Sequence, residues 1–132
     1  MIRAASYFFA IVVGSHLASA ATAQDVNVTP LFKTELKDMK DREGAMSVIE
    51  LAPGASSNAH RHNAHVFVYV LEGSIVMQVE GGEPTVLNAG QTFYENPDDI
   101  HTVSKNASET EPAKFLALLI KPKGTPATVP VH

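Results

Sequence analysis

Gly54-Ala-Ser-Ser-Asn-Ala-His-Arg-His-Asn-Ala-His-Val-Phe-Val-Tyr-Val-Leu-Glu-Gly73 is the stretch on which the fold turns. It starts from the turn Ala52-Pro53-Gly54, sets His60 and His62 two residues apart, and passes His65 into the β-branched and aromatic run Val66 to Leu71. Such a run, bounded by turn residues, reads as a strand. In an extended chain, side chains at i and i+2 share a face and lie roughly 7 Å apart. Two imidazoles so placed can close on one metal ion, and neutral imidazole suits zinc, iron, copper, nickel or manganese. His101, distant in sequence, can supply a third ligand once a sheet folds.

Outward from this stretch, short β-rich runs alternate with turn residues, and no long helical period appears. Strands are expected at Leu31 to Leu36, Met46 to Leu51, Val66 to Leu71, Ser74 to Glu80, Thr85 to Leu87, Thr92 to Tyr94, His101 to Ser104 and Lys114 to Ile120. Glu72-Gly73, Gly81-Gly82, Ala89-Gly90 and Asn96 to Asp99 punctuate them at the spacing of a sandwich or barrel. Val66 to Leu71 is apolar at every position, so it is either buried on both faces or turns one face inward and the other to a partner subunit. Only Lys37 to Glu43 has room for a helix, of one or two turns. Three prolines in Lys121 to His132 make the C-terminus an extended strap over the barrel or a mobile tail.

These residues resemble the cupin family. The first family motif reads Gly, five residues, His-x-His, three or four residues, Glu, six residues, Gly, and Gly54, His60, His62 and Gly73 stand in register with it. The second is matched by Gly90, His101 and Asn106, with Asn96 and Asp98 replacing its proline and glycine. The resemblance implies an all-β, single-domain jelly-roll barrel with a metal in its mouth. One departure stands out: counted back from Gly73, the glutamate ligand falls at residue 66, which is valine. The metal set is therefore read as His60, His62 and His101 with water or substrate completing it. Glu95 or His65 are the alternative fourth ligands. Glu95 is otherwise an anchor for the Asn96 to Asp99 turn, and His65 a rim residue.

The termini and composition set the context. The first 23 residues carry a lone Arg3, the apolar stretch Tyr7 to Val13 and the small-residue sites Ala-Ser-Ala20 and Ala-Thr-Ala23. This is a secretory signal peptide, cleaved after Ala23 in preference to Ala20, since the apolar stretch is too short to span a bilayer. Residues 24–120 then form the barrel domain and 121–132 the Pro-rich tail, in a periplasmic or secreted protein with no membrane anchor after cleavage. With no cysteine in the chain, neither a lipid anchor nor a disulfide is available, and stability must come from core burial. Cleavage removes Arg3 and leaves 9 basic against 14 acidic residues, which argues against nucleic acid and anionic membranes as partners.

The function expected is that of a metal-dependent oxygenase, quercetinase-like, acting on a small chelating enol or phenol. His60, His62 and His101 would hold Fe, Mn, Ni, Cu or Zn, and Glu95 would act as general base. The alternative is a periplasmic module that binds or senses a small ligand or metal without turnover. A sugar or organic-acid isomerase or lyase is less favoured, because it wants a cation at the mouth and the motifs hold only Arg61 and Lys105, both of outward parity. A homodimer would cover the free edge and the apolar face of so small a barrel.

Overall fold

The computed structural model describes residues 26–131, so the expected signal peptide and its cleavage site lie outside the described residues. Ten strands follow in order: β1 (Val26–Glu35), β2 (Arg42–Leu51), β3 (His60–Arg61), β4 (His65–Glu72), β5 (Ser74–Val79), β6 (Thr85–Asn88), β7 (Thr92–Glu95), β8 (His101–Asn106), β9 (Ala113–Pro122) and β10 (Val129–Pro130). They form two five-stranded antiparallel sheets, ordered β1-β2-β9-β4-β7 and β10-β3-β8-β5-β6. This is the all-β jelly roll expected from the sequence.

The core lies between the sheets. Along β4, Val66, Val68 and Val70 are buried, whereas Phe67, Tyr69 and Leu71 are exposed. Along β9, Ala113, Phe115, Ala117 and Leu119 turn inward at every second residue. Ile75, Met77 and Leu87 face them from the second sheet. The strand that reads as apolar throughout therefore has one face in the core and one on the surface, as the period of two demands.

Residues 36–41 form turns and no helix: Leu36 N–H donates to the Arg42 carbonyl and Met39 N–H to that of Leu36, both at 3.0 Å. A helix there would have broken the β1–β2 ladder, which pairs through to Glu35 and Glu43. β9 runs on to Pro122, and the C-terminal segment returns as β10 to pair with β3. Asn106 knits the loops at one end. Its buried amide donates to the carbonyls of Leu51, Ala52 and Glu111, and its Oδ1 accepts from Ser108 N–H at 2.9 Å.

Candidate metal centre

Strand register builds the site. His60 of β3 is the direct antiparallel partner of His101 of β8, and Val66 of β4 is the direct partner of Glu95 of β7. The first pair belongs to one sheet and the second to the other, so four positions meet where the sheets close. His62 follows β3 by one residue and returns to the same side. Ring nitrogens of His60, His62 and His101 all lie within 4.8 Å of one another, a group that can hold a metal ion.

The hydrogen bonds fix two of these rings. His60 Nδ1 donates to the Asn58 carbonyl at 2.7 Å, and His62 Nδ1 donates to the Ala127 carbonyl at 2.6 Å. A carbonyl only accepts, so both Nδ1 atoms carry the proton and both Nε2 atoms are turned toward the site. Those Nε2 atoms lie 3.2 Å apart. At that distance one proton or one metal ion can lie between them, and orientation by a backbone carbonyl is the usual support of a metal-bound imidazole. His101, 3% exposed, has no hydrogen-bond partner at either ring nitrogen. Buried polar atoms are rarely left so. The donor set fits a divalent transition metal.

Glu95, only 2% exposed, reaches the same place. Its Oε1 lies 3.3 Å from His101 Nδ1 and its Oε2 lies 3.8 Å from His62 Nε2. Burial, with the charge of Asp99 adding to it, pushes its carboxyl up to about 7. Burial pushes His101 down to about 3, helped by His60 and His62. His62 is lowered by burial, partly opposed by its bond to Ala127. His62 and His101 are thus held neutral, the state a metal requires.

The other candidates separate cleanly. The Asn96 to Asp99 turn is anchored by Asp99, whose Oδ2 accepts from Asn96 N–H at 2.7 Å, and not by Glu95. His65 points outward, its Nδ1 in hydrogen-bond contact with the Tyr94 hydroxyl at 2.6 Å, so it neither joins the ligands nor lines the rim. Arg61 and Lys105 are exposed. Phe93 turns inward and stacks on the His101 ring at 14° between planes, while Phe67, Tyr69 and Tyr94 lie on the outer face. Sequence reasoning misses the carbonyls of Asn58 and Ala127, since any residue can supply a carbonyl. It also misses Thr128 and Pro130 in the cavity wall, for which only the proline content of the tail gives a hint.

Beside the histidines opens a cavity of about 280 Å³, walled largely by apolar side chains that include Val26, Ile49, Val68, Met77 and Phe115. No lysine or arginine lines it among the described residues.

A family model described as the cupin domain matches residues 47–119. A search of curated proteins found no match. Among solved structures, the chain is similar to the cupin domain of an XRE family transcriptional regulator from Enterobacter cloacae, with 29% identity, TM-score 0.58, and coverage of 76% of this chain and 100% of that one. It is similar to a Klebsiella pneumoniae protein with a double-stranded β-helix domain, at 18% identity and TM-score 0.63, over 96% of this chain and 100% of that one. A third is the DMSP lyase DddQ from Ruegeria pomeroyi, at 22% identity and TM-score 0.57, over 65% of this chain. There the match spans only 42% of the lyase. With the family match covering more than half of its length and both sheets in place, the chain belongs to the cupin family.

Proposed function

We propose that this protein is a metal-dependent, oxygenase-type enzyme for a small chelating enol or phenol, with His60, His62 and His101 as metal ligands and Glu95 as the general base. The observation that carries the reading is the group of three histidines, with the Nε2 atoms of His60 and His62 3.2 Å apart, beside a buried carboxyl. A divalent transition metal held by His60, His62 and His101 would supply Lewis-acid chemistry there. The chain's own residues do the rest. The apolar wall takes the carbon skeleton and excludes water. With no cation in the wall, a phosphate or a second carboxylate has no partner, which favours a substrate whose one acidic hydroxyl faces the metal. Glu95, buried within 4 Å of His62 and His101, stands where it can accept that hydroxyl proton.

The test is metal analysis of the purified protein, then O2-electrode traces with catechols, flavonols and thiols. Stoichiometric metal and O2 uptake with one of these classes is the expected result. A metal-replete protein that takes up no O2 with any of them would sink the oxygenase reading. It would favour a second one, a module that binds or senses a small ligand without turnover. The likeness to a transcriptional regulator's cupin domain supports that alternative. We also place the mature protein in the periplasm or outside the cell, on the strength of residues 1–23. Sequencing the N-terminus of the secreted form should find Gln24 first.

A further inference from the structure

The C-terminal segment carries a second layer of the site. Residues 123–128 are exposed, so burial does not hold them in place. Polar ties do. Lys121, 4% exposed at the inward end of β9, pairs with the buried carboxylate of Glu43 and also donates to the Thr125 carbonyl. Thr125 Oγ1 donates back to the Pro122 carbonyl at 2.8 Å, and Lys123 N–H to that of Asp41 at 3.0 Å. Beyond this clasp the chain delivers the Ala127 carbonyl to His62 Nδ1, and then pairs Val129 with Arg61 and Pro130 with His60.

We propose that Lys121 is a positioning residue for the metal centre: it clasps the 123–128 strap so that the Ala127 carbonyl sets the tautomer and angle of His62. The inference rests on His62 being a ligand. His62, unlike His60, takes its supporting carbonyl from a remote segment. His60 is held by Asn58, two residues away, and does not depend on the strap. Partners of this kind are worth about 10–100-fold in metal affinity. The strap also places Thr128 and Pro130 in the cavity wall, so one clasp sets both the ligand and part of the substrate boundary.

The experiment compares wild type with Lys121→Met, and with the double variant Glu43→Gln/Lys121→Met, which leaves no unpaired buried carboxylate should the single variant fail to fold. In metal-free protein, side-chain 15N shifts report the tautomer of each histidine. Loss of the fixed Nδ1–H form at His62, with His60 unchanged, is expected, together with Zn2+ binding weakened about tenfold or more in chelator competition. A folded variant whose His62 nitrogen shifts stay at wild-type values overturns the proposal. Wild-type protein that binds no Zn2+ or other divalent metal would instead overturn the metal reading. The nitrogen shifts would still decide the role of the clasp.

Discussion

At the scale of single residues, the informative exchange is between positions 66 and 95. Val66 stands where the family places a carboxylate, and Glu95 is its direct cross-strand partner, so a carboxyl enters the same space from the neighbouring strand. The spacing of His60 and His62 was legible because i and i+2 share a face whatever the strand pairs with. Glu95 could be named as a candidate but not separated from its alternatives, because its place depends on the register between β4 and β7, which local sequence does not encode. Its burial has a consequence for stability. A carboxyl whose folded pKa is raised from 4.5 to about 7 binds more protons folded than unfolded between those values, so metal-free stability falls as pH rises through that window. The loss reaches about 3 kcal/mol above pH 7 at 1.36 kcal/mol per unit. Metal-free Glu95→Gln should therefore gain in melting temperature over wild type from pH 5 to pH 8, and equal melting curves at pH 8 would contradict this. His101 works in the opposite sense: lowered to about 3, it costs stability as pH falls below 6.5. Both His60→Ala and His101→Ala should fold yet lose bound metal. Full metal content in either, by elemental analysis, would show the ligands to be wrongly assigned.

At the scale of elements, the turns separate steric from conformational demand. Gly73 and Gly90 both have positive φ, +69° and +88°. A Cβ at Gly73 would lie 2.6 Å from the Pro112 carbonyl oxygen and 3.1 Å from Ala113, whereas one at Gly90 would meet nothing within 4 Å. Gly90→Ala should cost about 1–2 kcal/mol, the left-handed penalty alone, and Gly73→Ala clearly more, because backbone rather than a side-chain tip must yield. Urea denaturation giving equal costs would refute the steric part. Asn106→Ala removes one donor group shared by three carbonyls and should cost about 2–4 kcal/mol. Most strands could be read from alternation and punctuation, and Gly73 from its motif position. The two-residue strands β3 and β10 could not: neither has a pattern of its own, and each exists because a remote segment lies alongside. Nor could the clasp be read, although Lys121 continues the inward parity of Phe115, Ala117 and Leu119.

At the scale of the whole molecule, the outer face of the first sheet bears on assembly. Register places Tyr94, Phe67, Leu118, Met46 and Phe32 opposite one another across β7, β4, β9, β2 and β1, one apolar row over all five strands. Beside it run Tyr69, Leu116 and Val48, and the face ends at the row Glu72, Lys114, Glu50 and Asn27. Four strand spacings make the first row about 19 Å long. Scattered apolar residues are ordinary on a surface, but contiguous rows of this kind mark contact sites. A homodimer, which the sequence suggests, would bury this face against its own copy across a two-fold axis. Phe67 is the residue to change, since it is 45% exposed and is the cross-strand partner of both Tyr94 and Leu118 in the row. Phe67→Glu should convert a dimer to a monomer in light scattering. Its side chain points away from the cavity, so the variant should keep its metal and lose little intrinsic stability. Wild type that elutes as a sharp monomer at micromolar concentration would remove the dimer and leave the row to some other partner. A variant that turned monomeric and lost metal together would mean that the two faces of this sheet are coupled through β4, whose alternate residues serve both.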